Sequence, residues 1–183
     1  FLTTLVFLGV FAVFQLGLKI VGQSKARTDA TALAQERIEE MRSLPYESVG
    51  AQGGFPVGQI PSQQSLKRNN ISFSVATLID YVADTFDGLS SPQDTCPNDY
   101  KKVSVKVSWT SFFGGELKLS TLVSPRSLSE ECAEPGGLLK VSVFDSQGRL
   151  VFSPEITVTN IKTNLVKTNL PDNGIAYFIL PPD

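Results

Sequence analysis

The chain has 183 residues, with 16 Lys plus Arg against 18 Asp plus Glu and a net charge of -2, which allows one ordinary domain or two small ones beyond a terminal helix and provides no broad basic field for nucleic acid. It contains no histidine, which rules out histidine-dependent triads, imidazole metal sites and a histidine pH switch. Its two cysteines, Cys96 and Cys132, are too few for a four-thiolate zinc site and too far apart for a CxxC redox pair; in an oxidising compartment they can form one disulfide, and otherwise they stand as two thiols.

From Phe1 to Gly22 the only polar side chains are Thr3, Thr4, Gln15 and Lys19. A hydrocarbon core of about 30 Å needs ~20 apolar residues in helix, and this stretch has the length. Lys19 lies near one end, where its stem can snorkel and place the ammonium among headgroups. Gly9, Gly17 and Gly22 weaken a soluble helix but let neighbouring backbones approach closely in a membrane. Leu5, Val6, Phe7, Leu8, Val10, Phe11, Val13, Phe14, Leu16 and Leu18 are the side chains expected to carry the apolar burial.

After Gly22 the pattern changes while the helix continues. Ala26, Ala30, Leu33, Ala34, Ile38 and Met41 recur at three- and four-residue spacings with charged residues between them, so one stripe is apolar. Pro45 disfavours helical geometry at Leu44 and predicts the stop there. At 1.5 Å per residue the whole helix would be roughly 66 Å long. A secretory signal peptide would have a shorter apolar part and a basic leader. A buried soluble helix would need an apolar body large enough to cover it. A plain single-span anchor fits the first half but gives no reason for the stripe in the second.

The apolar helix, its continuation, and above all the run Ala32-Leu33-Ala34-Gln35-Glu36-Arg37-Ile38-Glu39-Glu40-Met41-Arg42-Ser43-Leu44-Pro45-Tyr46 resemble type IV prepilin-like proteins, closest to the minor pilin and pseudopilin branch. The resemblance implies that the first half of the helix holds the subunit in membrane lipid and then packs in a filament core. It further implies that the second half packs against the subunit's own globular head, and that the partners are other pilin subunits and membrane assembly machinery. The family's signature phenylalanine and glutamate have no match around Phe1, where Leu2, Thr3, Thr4 and Leu5 follow. The expectation is that the chain begins inside the mature helix, or else that the glutamate is absent as in some tip pseudopilins. Lys19, Lys25 and Arg27 fall on the side that the pilin orientation places outside, against the bias of charge alone, so the topology comes from the resemblance.

Tyr46 to Asn70, rich in glycine and proline, reads as a loop, with neither phosphate-cradling spacing present. Strands are predicted by alternation at Ile71 to Ile79, Val103 to Trp109 and Leu117 to Val123, the last two joined by a hairpin at Phe112-Phe113-Gly114-Gly115. A sheet with one apolar face needs a cover, and the stripe from Ala26 to Met41 can supply it. Asp80, Asp84, Asp87, Asp94 and Asp99 could converge on a hard cation, but their spacing matches no calcium loop and the reading is a solvated loop. No nucleophile and base arrangement is visible, so the reading is of a protein that is not an enzyme and uses no cofactor or metal.

A polar linker is expected over 125–137. Beyond it, short strands begin at Leu139, around Leu150, around Ile156 to Val158 and from Ile175 to Leu180, with turns at Asp145-Ser146-Gln147-Gly148 and Pro171-Asp172-Asn173-Gly174. Such spacing argues for a small β-sandwich. The run Leu139 to Asp145, with Gly148, Thr157-Val158-Thr159, Thr168, Asp172, Gly174 and Phe178-Ile179-Leu180-Pro181-Pro182, is similar to the carboxypeptidase regulatory-like, transthyretin-type module. That family is non-catalytic, and this copy is expected to be incomplete at Asp183.

The resulting expectation is an α+β chain: helix over 1–45, a pilin-like antiparallel head over 46–124, a linker over 125–137 and a sandwich over 138–183. Its function would be that of a structural subunit of a type IV pilus or pseudopilus-like filament at the cell surface. The alternative is a single-span, membrane-anchored extracytoplasmic binding or adhesion protein that does not polymerise.

Overall fold

The computed structural model describes residues 2–84, 86, 88, 94–110, 114–133 and 136–181. The fold is α+β. A long helix α1 (Leu2–Ser43) and a 3-10 turn (Tyr46–Ser48) precede four strands, β1 (Gln63–Arg68), β2 (Ile71–Val82), β3 (Tyr100–Trp109) and β4 (Gly115–Val123). A one-turn helix α2 (Leu128–Glu131) follows, then β5 (Gly137–Ser142), β6 (Ile156–Thr159), β7 (Val166–Asn169) and β8 (Ile175–Leu180). The first four strands form one sheet in the order β1-β2-β3-β4, while β5 pairs with β8 and β6 with β7.

No proline interrupts α1, and two of its threonines, Thr28 and Thr31, return their hydroxyls to the carbonyls of Ser24 and Arg27 four residues back, a bond a mid-helix threonine makes without leaving the helix. Arg42 stands in the last turn, the end that favours a cation. Pro45 follows just outside, as the sequence reading requires.

By internal contacts the chain divides into two compact units, one of Phe1–Ser43, Pro61–Leu78 and Ser104–Thr121, the other of Leu44–Ile60, Ile79–Val103 and Leu122–Asp183. These units interleave along the chain, whereas the sequence reading drew its boundaries in chain order. In the first unit, Phe73, Val75, Val105, Val107 and Trp109 are buried on alternate positions of β2 and β3, as period-two side chains must be when one face is covered. The rings of Phe73 and Trp109 lie 6.2 Å apart. Gly115 opens β4 against that tryptophan: a Cβ there would come within 2.4 Å of the indole, so the close approach requires glycine.

β1 occupies a stretch expected to be loop. It pairs antiparallel with β2 in a register that sets Arg68 opposite Ile71, and both residues of the connection, Asn69 and Asn70, have positive φ of 48° and 67°. That is the two-residue hairpin turn whose twist matches its strands. The remainder of the predicted loop is explained by backbone crowding: a Cβ on Gly50 would stand 2.3 Å from the Val57 carbonyl oxygen, and one on Gly58 2.4 Å from that of Gly50. Its glycines serve chain packing. The predicted hairpin residues Phe112 and Phe113 lie outside the described residues, as do Asp87 and Pro182; β3 and β4 are neighbours in the sheet.

In the second unit, Phe55, Tyr81 and Ile179 form one buried cluster, with the two rings edge to face at 5.1 Å. Lys167 closes over Phe55 and pairs with Asp80 at 3.0 Å. Lys101 is fully buried, its Nζ donating to the Tyr46 carbonyl at 2.8 Å and standing 4.4 Å from the Tyr46 ring centre. A carbonyl and a π face together replace part of the ammonium's lost hydration. Tyr46 in turn donates its hydroxyl to the Asn98 carbonyl at 3.0 Å.

The two carboxyl-terminal pairs share a core of Ile156, Ala176 and Phe178 with Val141, Val143, Val158 and Leu180 around it. The pairings set Leu139 opposite Phe178 and Thr157 opposite Thr168, with the two threonine hydroxyls 3.1 Å apart. Around Leu150 there is a single bridge to Phe144 instead of a strand, and β7 is a strand the sequence reading did not name. The turn at Asp145 forms: its Oδ1 accepts the Arg149 and Gln147 N–H groups and its Oδ2 pairs with the Arg149 guanidinium. The Arg149 N–H above all, with those other partners, holds the Asp145 carboxyl below the ordinary carboxylate range despite some desolvation.

Within the stretch expected as a linker, Ser127 to Cys132 are folded. Ser127 caps α2, and Cys132, just after it, is bonded to Cys96 with the two Cα atoms 5.0 Å apart.

Candidate functional site

The amino-terminal helix is the feature that sets the chain apart, and it has two different surfaces. From Leu2 to Lys25 every described side chain is exposed. Among the predicted burial residues, Val6, Phe7, Leu8, Val10, Phe11, Val13, Phe14, Leu16 and Leu18 range from 53% exposed at Phe11 to 76% at Phe7; the Leu5 side chain lies outside the described residues. A helix that is apolar on all faces and covered on none is built for an apolar environment. This one is long and apolar enough to cross a membrane.

Each of those side chains contributes about 1.5–3 kcal/mol when fully taken out of water. Against this sum stands one cation, Lys19, near the end of the apolar segment, where charge costs less than at mid-membrane. The balance favours an apolar setting by a wide margin. A Cβ built on Gly9, Gly17 or Gly22 would meet no atom within 4 Å, so no packing among the described residues explains these glycines. They leave flat places on the outer helix surface, where another helix can approach.

The second surface starts at Ala26. Ala26, Ala30, Leu33, Ala34 and Met41 are buried, and Ile38 is only half-buried. The position that completes the stripe is Arg37, 9% exposed, which follows Leu33 by four residues and precedes Met41 by four. A strict helical period selects it, whereas a reading by residue type selects Ile38. Its stem is buried with the stripe, and its guanidinium is satisfied by Glu40 at 2.8 Å and by the Gln64 side chain on β1.

Further polar contacts run from the helix to the first hairpin of the same unit. Glu36 pairs with Arg68 at 3.2 Å, and Asp29 accepts from Asn69 at 3.0 and 3.1 Å. These pairs are exposed and individually worth little, so they set the register of helix on sheet while the small residues Ala26, Ala30 and Ala34 permit the close approach. The helix therefore presents an uncovered apolar half and a half fixed to a sheet.

The other predicted site residues lie in the second unit. Cys96 and Cys132 form the disulfide. Of the acidic residues read as a solvated loop, Asp94 and Asp99 are buried, Asp80 is paired with Lys167, and Asp84 accepts from the Tyr100 hydroxyl at 3.1 Å. The solvated-loop expectation does not describe Asp94 and Asp99, because the disulfide and the Tyr46 and Lys101 contacts fold that segment inward.

No protein-family model, curated protein or solved structure matches this chain.

Proposed function

We propose that the chain is a structural subunit of a type IV pilus or pseudopilus-like filament, of the minor pilin or pseudopilin kind, with no enzymatic role. The apolar half of α1 holds the subunit in membrane lipid as a single-pass anchor and then exchanges lipid for the helices of neighbouring subunits, guided by the assembly machinery in the membrane. The β-structured residues are displayed outside the cytoplasm, with the carboxyl-terminal strands as an appendage of carboxypeptidase regulatory-like type available for contacts such as adhesion.

The observation that carries this reading is one unbroken helix, Leu2–Ser43, bare and apolar at one end, and at the other buried along Ala26, Ala30, Leu33, Ala34, Arg37 and Met41 and tied to its own sheet through Asp29, Glu36 and Arg37. An anchor alone requires only the first half. Continuity through the second half ties the apolar segment to the head, so that any helix–helix contact made by the former fixes the position of the latter.

Shearing surface filaments from cells that make this protein tests the reading. The full chain is expected in the sheared filament fraction, and a variant lacking residues 2–22 is expected to be absent from both filaments and membrane. A full chain that stays entirely in the membrane fraction of cells bearing filaments would favour the non-polymerising anchor instead.

A further inference from the structure

The disulfide brings together two segments that carry carboxylates. Cys96 lies between Asp94 and Asp99, and Cys132 follows Glu131; one oxygen from each of Asp94, Asp99 and Glu131 lies within 4.8 Å of the other two. Asp94 and Asp99 are each 5% exposed. Acidic clusters are common on surfaces and mean little there. These two are taken out of water.

Asp94 supplies the independent sign of a ligand. Its Oδ1 accepts the Cys96 N–H at 2.7 Å, whereas its Oδ2 is buried and has no hydrogen-bond partner. A carboxylate oxygen that loses its water and gains nothing in return is costly, and a second and third carboxylate nearby increase that cost. A cation among them removes both penalties at once.

We propose that Asp94, Asp99 and Glu131 bind a hard divalent cation, calcium in the first place, which joins the 94–99 segment to α2 beside the disulfide. The donors are all oxygen. The chain has no histidine and both cysteines are consumed in the bond, so zinc, copper and nickel lack the nitrogen and sulfur ligands they prefer. Oxygens that all lie within 4.8 Å of one another can share one ion. Calcium accepts irregular shells of six to eight oxygens at about 2.3–2.6 Å, whereas magnesium demands a near-ideal octahedron and gives up its water reluctantly.

The site has an entrance and a support. Asp99 and Glu131 line a cleft of about 400 Å³ together with Asp84 and Tyr100, which admits the ion and the waters that complete its shell. The Asp84 N–H donates to Asp99 Oδ2 and the Tyr100 hydroxyl donates to Asp84, orienting the carboxylate that faces the ion.

The test uses the full chain in detergent micelles with its disulfide intact, stripped by chelator and titrated with calcium chloride in a calorimeter, with thermal unfolding followed in parallel. One saturable site is expected, with a dissociation constant on the order of 0.1–1 mM as in extracellular modules, and a higher unfolding midpoint with calcium than with chelator. Magnesium should bind at least about 10-fold more weakly. Asp94→Asn and Glu131→Gln should each weaken calcium binding by about 10-fold or more and shrink the difference between the midpoints in calcium and in chelator. Glu131 is only partly buried, so its variant decides the matter if Asp94→Asn fails to fold. Absence of saturable binding and of any midpoint shift up to about 10 mM calcium would overturn the proposal. Binding that survives Glu131→Gln unchanged, or equal affinity for magnesium, would overturn it equally.

Discussion

Replacing Val10 and Val13 together with aspartate is expected to release the full chain from phospholipid vesicles. Both positions are exposed and apolar in the middle of the uncovered half of α1, and each aspartate at the centre of a membrane helix costs about 2.5–3.5 kcal/mol. Together they amount to about 5–7 kcal/mol, or about four orders of magnitude in partitioning. Neither substitution reaches the buried stripe that begins at Ala26, so the sheet and its disulfide should form as before. Vesicle co-sedimentation reads the effect directly. A matched control removes the exposed Lys106–Glu116 pair on β3 and β4, 2.6 Å long, by changing both to glutamine, and should sediment as the unmodified chain does. If the double aspartate variant still sediments with vesicles, the apolar half of α1 is not what holds the protein there.

Exchanging both Cys96 and Cys132 for serine carries the second large effect. The bond joins residues separated by 36 positions, and closing a loop of that length restricts the unfolded chain by about 3–4 kcal/mol. The bond lies in the second unit, where two of the buried apolar clusters among the described residues hold three residues each, so the restraint adds to a modest core. The unfolding midpoint of the double serine variant is expected to fall by about 6–16 °C, taking about 2–4 °C per kcal/mol for a chain of this size. Reducing agent should bring the unmodified protein to the same value. Equal midpoints for the oxidised protein, the reduced protein and the variant would show that the bond adds no stability. A structural disulfide also belongs in an oxidising compartment, which accords with the proposed display of the β-structured residues outside the cytoplasm.

Much of the architecture is legible in the residues because it rests on long periodic signals. The membrane-length segment is an uninterrupted apolar run, and its continuation is a stripe at helical spacing. The strands β2, β3 and β4 alternate between apolar and polar side chains over most of their length, which a pleated half-buried surface demands. β1 has no such signal. In Gln63–Arg68 only Leu66 is apolar, since the strand lies at the sheet's edge and its side chains are exposed or half-buried. Its trace was the Asn69-Asn70 pair ahead of Ile71, a turn that favours residues tolerant of positive φ. β7 likewise offers only Val166 within Val166–Asn169.

The site residues divide in the same way. The uncovered residues from Val6 to Leu18 follow from composition alone. Residue type passes over Arg37, whose chemistry argues for water while its position argues for burial, and position prevails when a stem packs and a guanidinium finds partners. The solvated reading fails for Asp94 and Asp99 because their burial depends on contacts distant in sequence: Cys96 with Cys132, Lys101 with Tyr46, Tyr46 with Asn98. No local pattern encodes such contacts. The carboxyl-terminal strands show a related limit of local signals, since Ile179 joins a cluster with Phe55 and Tyr81, far from the strand partners that its own segment announces.

The exchange of lipid for neighbouring helices is the core of the proposed function, and a photoreactive phenylalanine analogue placed at Val13 tests it most directly. Irradiated in membranes before assembly, the full chain should attach to lipid. In filaments sheared from the cell surface, the same probe should join it covalently to a neighbouring subunit. A probe that captures only lipid in every fraction, with the chain never cross-linked to another subunit, would contradict the account.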